Sequence, residues 1–260
     1  MCGLLDSEYR NNGTDLLGGI IMIDLSKVDK KSIGKLFDHS VLPKNTQEKD
    51  IREGCKLAVK YNCAAFYSAT YFWTPVVKEE LAGSSVLVAT GIDFPFGASS
   101  SKMKAFEAER ALEAGCQALD TVINVGALKD KRYNIVKEEL IDFKAAAGSA
   151  ITKAILEVCF LTNEEIATAC KLIAEVGLDY AKTSSGQFEG PSMDQFLVMR
   201  DTLKGTDVKL KVAGVKFPRP QNAYAFIMAG AELIGTRSAP EIIDALDQMR
   251  EIGIIPKFNA

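Results

Sequence analysis

Apolar residues along this chain follow two alternating rhythms. From Gln47 to Tyr61, Lys102 to Ala114, Asn163 to Val176 and Pro240 to Glu251 they return every three or four positions, the period of an amphipathic helix. Between helical stretches stand short apolar runs near residues 34–38, 63–67, 86–92, 118–124, 151–157, 179–183, 208–213 and 232–236, which read as strands. Three helical patterns stop at a small or apolar residue followed by glycine, the signal of a helix C-terminus: Ala114-Gly115, Val176-Gly177 and Ala229-Gly230. Superimposing these joints puts the fifth residue after each glycine at the same place in a repeat, and those residues are Asp120, Lys182 and Gly235. Strand alternating with helix implies parallel pairing, and eight such units in about 225 residues predict an α/β chain folded as a (β/α)8 TIM barrel. A doubly wound open sheet is the competing arrangement. No GxGxxG follows the first run, which counts against its dinucleotide-binding form.

Composition narrows this picture. With 47% apolar residues among 260, the chain can bury one large core, and no linker-like tract divides it. The barrel domain is expected over residues 31–260. Residues 1–30 look unlike the rest, an N-terminal extension of open role in which Met22 is an alternative start. A net charge of −3 without a basic block gives no reason to expect nucleic acid or an anionic membrane as partner. The apolar stretch Leu16 to Ile23 is too short to span a bilayer, and no secretory signal precedes it. Six scattered cysteines without a CxxC pair fit free thiols in a reducing cytosol, so a cytoplasmic protein is expected. The single histidine, His39, cannot supply the ligand set of a catalytic zinc, so no metal is expected. It reads instead as a hydrogen-bonding residue beside strand one.

In such a barrel, chemistry sits where strands end and βα loops begin. The polar residues at those ends are Asp38, Tyr67, Asp93, Asp120, Asn124, Glu157, Lys182, Thr236 and Arg237, with Lys153 and Lys211 slightly deeper. Lys182 stands out because it closes a buried strand and opens the loop Thr183-Ser184-Ser185-Gly186. A desolvated ammonium loses its proton more easily, and the neutral amine attacks carbonyl carbon. Barrel closure can gather Lys182, Lys211, Lys153 and Asp120 over the core. Amines sharing one dry site lower one another's pKa, and a carboxylate beside them can move protons, as Schiff-base catalysis requires. A plainer reading has Lys211 and Lys153 snorkelling or pairing with Glu157. The loops after strands seven and eight, Ala213-Gly214-Val215-Lys216 and Gly235-Thr236-Arg237-Ser238, have the makings of a phosphate site: backbone and hydroxyl donors with two cations.

Several segments taken together resemble the deoxyribose-phosphate aldolase family, class I aldolases of the (β/α)8 fold. Lys182-Thr183-Ser184-Ser185-Gly186 is similar to the family's KTSTG motif, and Asp120-Thr121-Val122-Ile123-Asn124-Val125-Gly126-Ala127-Leu128 to its DMVINIGAL segment. Asp38-His39-Ser40-Val41-Leu42, Phe94-Pro95-Phe96-Gly97-Ala98, Lys104-Ala105-Phe106-Glu107-Ala108 and Ile155-Leu156-Glu157-Val158-Cys159 extend the likeness over most of residues 36–239. The resemblance implies that Lys182 forms the imine, that Asp120 serves a proton relay, and that Lys211 perturbs Lys182. It matches Asp38 and Lys153 to accessory polar positions, to which Asn124 and Thr183 of the matched segments are added, and the loops read above as a phosphate site, with Gly214, Lys216, Gly235, Thr236, Arg237 and Ser238, fall where the family binds phosphate. The implied reaction is reversible cleavage of 2-deoxy-D-ribose 5-phosphate to acetaldehyde and D-glyceraldehyde 3-phosphate, with no cofactor. Its partners would be small aldehydes and sugar phosphates. Barrels of this kind often associate, so a homo-oligomer is open.

Two loops depart from the family pattern. The usual KASGGIR is Lys211-Val212-Ala213-Gly214-Val215-Lys216-Phe217, and the usual GxSSG is Gly235-Thr236-Arg237-Ser238-Ala239. A β-branched residue in place of glycine restricts the backbone near an anion. Two alternatives therefore stand beside the leading reading: a class I aldolase for a different anionic aldol, and a barrel that binds sugar phosphate without turnover.

Overall fold

The computed structural model describes residues 22–259, and in it eight parallel strands close into a barrel. They are β1 (Phe37–Val41), β2 (Ala65–Ser68), β3 (Leu87–Ile92), β4 (Ala118–Val122), β5 (Ile151–Ile155), β6 (Tyr180–Lys182), β7 (Lys209–Ala213) and β8 (Leu233–Thr236). Each pairs with the next in the chain, and β8 returns to β1 through Asp38 opposite Gly235. The open-sheet alternative is thereby excluded.

The helices α1 (Glu48–Lys60), α2 (Thr74–Glu80), α3 (Ser101–Ala114), α4 (Val125–Lys129), α5 (Tyr133–Ala147), α6 (Asn163–Val176), α7 (Met193–Leu203), α8 (Arg219–Met228), α9 (Ala239–Asp244) and α10 (Leu246–Glu251) lie between and after the strands. Their ends follow local chemistry. Thr162 and Glu165 form a capping box at the start of α6, and Gly177, at φ 75°, ends it in the left-handed conformation. The pattern from Pro240 to Glu251 is broken into α9 and α10 at Ala245. A large apolar layer between strands and helices forms the main core, while Tyr67, Tyr180, Leu233 and a set of alanines fill the barrel interior.

The first strand differs from expectation. Ile33–Leu36 is a 3-10 turn, and β1 begins only at Phe37. Gly34 explains the turn's placement, because a Cβ there would lie 1.9 Å from the Tyr61 carbonyl oxygen, so this backbone is pressed against the end of α1. Polar Asp38, His39 and Ser40 make up the middle of β1, and all three are buried.

Residues 1–21, with Cys2, lie outside the described residues. From residue 22 the chain packs on the barrel: Leu25 and Val28 are buried in the main core, and the Arg250 guanidinium donates to both of their carbonyl oxygens. Among the described residues, no helix is long and apolar enough to cross a membrane.

Candidate active site

A single strand position supplies most of the site. Tyr67, Asp120, Lys153, Lys182, Lys211 and Gly235 are each the third residue of their strands, β2 and β4 to β8. The place shared by Asp120, Lys182 and Gly235 in the sequence repeat is thus a real one. Asp38 enters from the second position of β1. Side chains alternate in and out along a strand, so equivalent positions on neighbouring strands turn the same way. Gly235 is where the ring yields space: a Cβ there would come within 3.0 Å of Lys211 Cε.

The polar heads converge on one carboxylate. Lys182 Nζ and Lys211 Nζ each donate to Asp120 Oδ2 at 2.8 Å. Lys211 Nζ also lies 2.7 Å from Asp38 Oδ2. The other oxygen, Asp120 Oδ1, accepts from the Tyr67 hydroxyl at 2.7 Å, and that hydroxyl accepts from Lys153 Nζ at 2.7 Å. Lys211 Nζ sits 3.9 Å from the centre of the Tyr67 ring, a cation over a π face. All of these side chains are buried. The two accompanying lysines thus pair with Asp120, Asp38 and Tyr67; Glu157 accepts instead from the Ser185 amide at 3.0 Å, anchoring the loop after β6.

This arrangement splits the amines by environment. Burial, reinforced by the neighbouring Lys211 charge, pulls Lys182 down to about 8 against the opposing pull of Asp120. Burial acts on Lys211 too, but Asp120 and Asp38 outweigh it and hold this ammonium above its ordinary value. For Asp120, burial works against the charge, and Lys182, Lys211 and Lys153 overcome it, keeping the carboxylate well below its usual range. One amine is therefore poised to be neutral beside another that stays charged. His39 is driven down to about 4 by burial, so near neutral pH it is an uncharged ring against Phe66.

A cavity of about 420 Å3 opens above these groups, a size suited to a small ligand. Asp38, Tyr67, Asp120, Lys182 and Lys211 line it from within the barrel, and Gly214, Val215, Gly235, Thr236 and Arg237 line it from the last two βα loops. The remaining expected residues sit apart from it. Lys153 lies behind Tyr67, touching the cavity residues through its hydroxyl. Thr183 is buried and bonds the Ala213 backbone through both its donor and acceptor. Asn124 caps α4 by accepting from the Ala127 amide. The Ser238 amide donates to Thr236 Oγ1 at 3.0 Å, folding the β8 loop. Lys216 points away and pairs with Glu189 at 2.8 Å.

Some lining residues lie outside the segments matched in the sequence. Arg219, at the start of α8, reaches the cavity with its guanidinium 3.9 Å from the Phe217 ring centre. Phe188 lines the mouth and packs edge-on against Phe160 and Phe96, at 5.2 and 6.4 Å between ring centres. The only forewarning for Arg219 was its position two residues beyond the place where the family pattern has an arginine. Gly190 had none. A Cβ there would lie 1.7 Å from the Gly214 carbonyl oxygen, so the loops after β6 and β7 touch backbone to backbone.

The model of the DeoC/LacD family of aldolases matches residues 33–219, which carry every lysine and carboxylate of the site. The chain belongs to this aldolase family. Within it, the chain is 40% identical to the deoxyribose-phosphate aldolase of Clostridium novyi over 215 residues, 82% of this chain and 96% of that one. It is 37% identical to the deoxyribose-phosphate aldolase of Mycoplasma capricolum over 212 residues, 81% and 94% of the two chains. Among solved structures, the aldolase QR15 superimposes with a TM-score of 0.77 at 29% identity, covering 85% of this chain and 98% of its own. The tetrameric deoxyribose phosphate aldolase of Aeropyrum pernix shares the fold, with a TM-score of 0.78 at 23% identity over 86% and 95% of the chains. Family membership makes the chain an aldolase, a lyase that breaks and forms carbon–carbon bonds.

Proposed function

We propose that this aldolase cleaves 2-deoxy-D-ribose 5-phosphate reversibly to acetaldehyde and D-glyceraldehyde 3-phosphate through an imine on Lys182. The observation that carries the reading is the pairing of a depressed Lys182 with a charged Lys211 on one buried carboxylate. Neutral Lys182 adds to the sugar aldehyde, and loss of water leaves an iminium. The C2–C3 bond then breaks, its electron pair moving toward the iminium nitrogen, while the C3 hydroxyl gives up its proton and becomes the carbonyl of the departing aldehyde. The enamine takes a proton on carbon, and water releases acetaldehyde from Lys182. Asp120 faces the nitrogen throughout and stabilises its cationic stages, while Lys211 and Asp38 hold Asp120 in place. Borohydride added with acetaldehyde should leave an N-ethyl group on Lys182, read by peptide mass mapping; an unmodified Lys182 in turning-over enzyme would sink the mechanism.

Two further results are expected. Because Lys182 is the reacting base with a value near 8, kcat/KM should climb with pH as the amine loses its proton and level off above about 8. A rate log–pH profile checks this, and a flat profile from pH 6 to 9 contradicts it. The phosphate is read as held by the Gly214 and the Gly235–Thr236 loops, with positive charge from Arg237 and Arg219 in place of the outward Lys216. Arg237→Ala should raise KM for deoxyribose 5-phosphate by roughly tenfold or more, the scale of one charged hydrogen bond, and leave unphosphorylated deoxyribose unchanged. Equal effects on both sugars would remove the anion-binding role.

A further inference from the structure

Tyr67 is a buried phenol at the centre of the site for which the imine chemistry above has assigned no task. Its hydroxyl is inserted between two charged groups, accepting from Lys153 Nζ at 2.7 Å and donating to Asp120 Oδ1 at 2.7 Å. Lys153 Nζ itself stands 3.6 Å from Asp120 Oδ1, beyond good hydrogen-bond distance, so the phenol is the short path between them. The donors run in one sense, from ammonium to phenol to carboxylate. Tyr67 also lines the cavity, whereas Lys153 does not.

We propose that Tyr67 is the positioning residue of a proton relay, passing protons between Lys153 and Asp120 and, through Asp120, to and from the reacting atoms. This rests on the imine reading given above. In one hop Lys153 gives a proton to the phenol oxygen as the phenol gives its own to Asp120 Oδ1, which delivers it to the substrate. Tyr67 ends each hop neutral and Lys153 ends it uncharged. A proton is drawn when the carbinolamine hydroxyl leaves as water and again when the enamine carbon is protonated. One is returned when the C3 hydroxyl ionises, and another when water adds to the final iminium. Two in and two out leave the relay as it began. Burial and the Asp120 and Asp38 charges raise the phenol well above its ordinary value, so it persists as O–H, the form the relay needs.

The relay predicts a defect that lost packing alone does not produce. Acetaldehyde in deuterium oxide exchanges its methyl protons through the iminium and enamine on Lys182, with no aldol partner needed. Tyr67→Phe, left with acetaldehyde until the imine has equilibrated, should still trap the N-ethyl adduct on Lys182 to the wild-type extent, though it gets there more slowly, while proton exchange followed by NMR falls about 100-fold, within the range of positioned acid–base groups. Lys153→Met should lose a similar factor. The double variant should be no slower than the worse single one, since both break the same path. Wild-type exchange in Tyr67→Phe, or losses that multiply in the double variant, would overturn the relay. Should Tyr67→Phe fail to fold, 3-fluorotyrosine at position 67 keeps the ring and its hydrogen bonds and alters phenol acidity: a changed exchange rate supports the relay and an unchanged one overturns it. Absence of any trapped adduct in wild-type enzyme would instead remove the imine reading itself.

Discussion

Lys182→Met is expected to lose on the order of 10,000-fold or more in kcat/KM, the scale on which enzymes respond to removal of a nucleophile. The same substitution should make the protein more stable near pH 7. Lys182 has a folded value of about 8 against 10.5 in the open chain, so at pH 7 it is charged in both states and the folded state bears the penalty of burying it. Wild-type stability should accordingly rise between about pH 8 and 10.5, where the unfolded chain still holds a proton that the folded one has released. The variant has no such rise, and its advantage at pH 7 amounts to at most about 3 kcal/mol for a displacement of this size. Urea denaturation of both proteins at pH 7 and 10 measures it. Equal stability at pH 7 would mean that Asp120 compensates the buried charge fully. A gain in stability with total loss of turnover would mark Lys182 as a residue retained for chemistry at a cost to the fold.

The opposite pattern is expected for Asp120→Asn. The carboxylate faces three ammonium groups, at 2.8, 2.8 and 3.6 Å, and an amide there leaves them buried with their mutual repulsion unanswered. Removing one partner of a buried charge pair typically costs about 3–5 kcal/mol, so this variant should be both inactive and markedly less stable. The pH dependence has a definite sign. Asp120 is held well below the usual carboxylate range, so its stabilisation is present in full above about pH 4 and declines as acid protonates the unfolded chain first. The gap between wild type and variant in urea midpoints should therefore narrow below pH 4. A gap that stays constant into acid would mean that the loss arises from shape and not from charge.

Much of this site was legible because the barrel repeats itself. The glycine joints alone aligned Asp120, Lys182 and Gly235, and the strands put all three at one level. What escaped was set by contacts between distant segments. The apolar run from Ile33 to Phe37 resembles a strand, but Gly34 must turn beneath Tyr61, and the middle of β1 is built instead from polar Asp38, His39 and Ser40, with Asp38 answered by Lys211 of β7. Tyr67 was visible as a polar strand end. Its task depends on Lys153 and Asp120, 86 and 53 residues away, and no local pattern encodes that distance. Lys216 and Arg219 both follow β7, and which one faces the cavity is decided by the course of the loop and by Glu189, which captures Lys216. Asn124 and Thr183 sit in recognisable segments, and their side chains bond backbone, at the start of α4 and at the end of β7.

The touching backbones of Gly190 and Gly214 bear on how this enzyme's range of substrates can be altered. A side chain at Gly190 would strike the other loop, and Gly214, at φ 75°, has Gly190 Cα 3.0 Å from where its own Cβ would stand. The loops after β6 and β7 are therefore one unit for mutation, and a library that randomises either loop through these positions will mostly yield misfolded mouths. Diversity is better spent on Gln187, Val215 and Arg237, which line the cavity without joining that seam. New acceptor aldehydes should emerge from those three positions first.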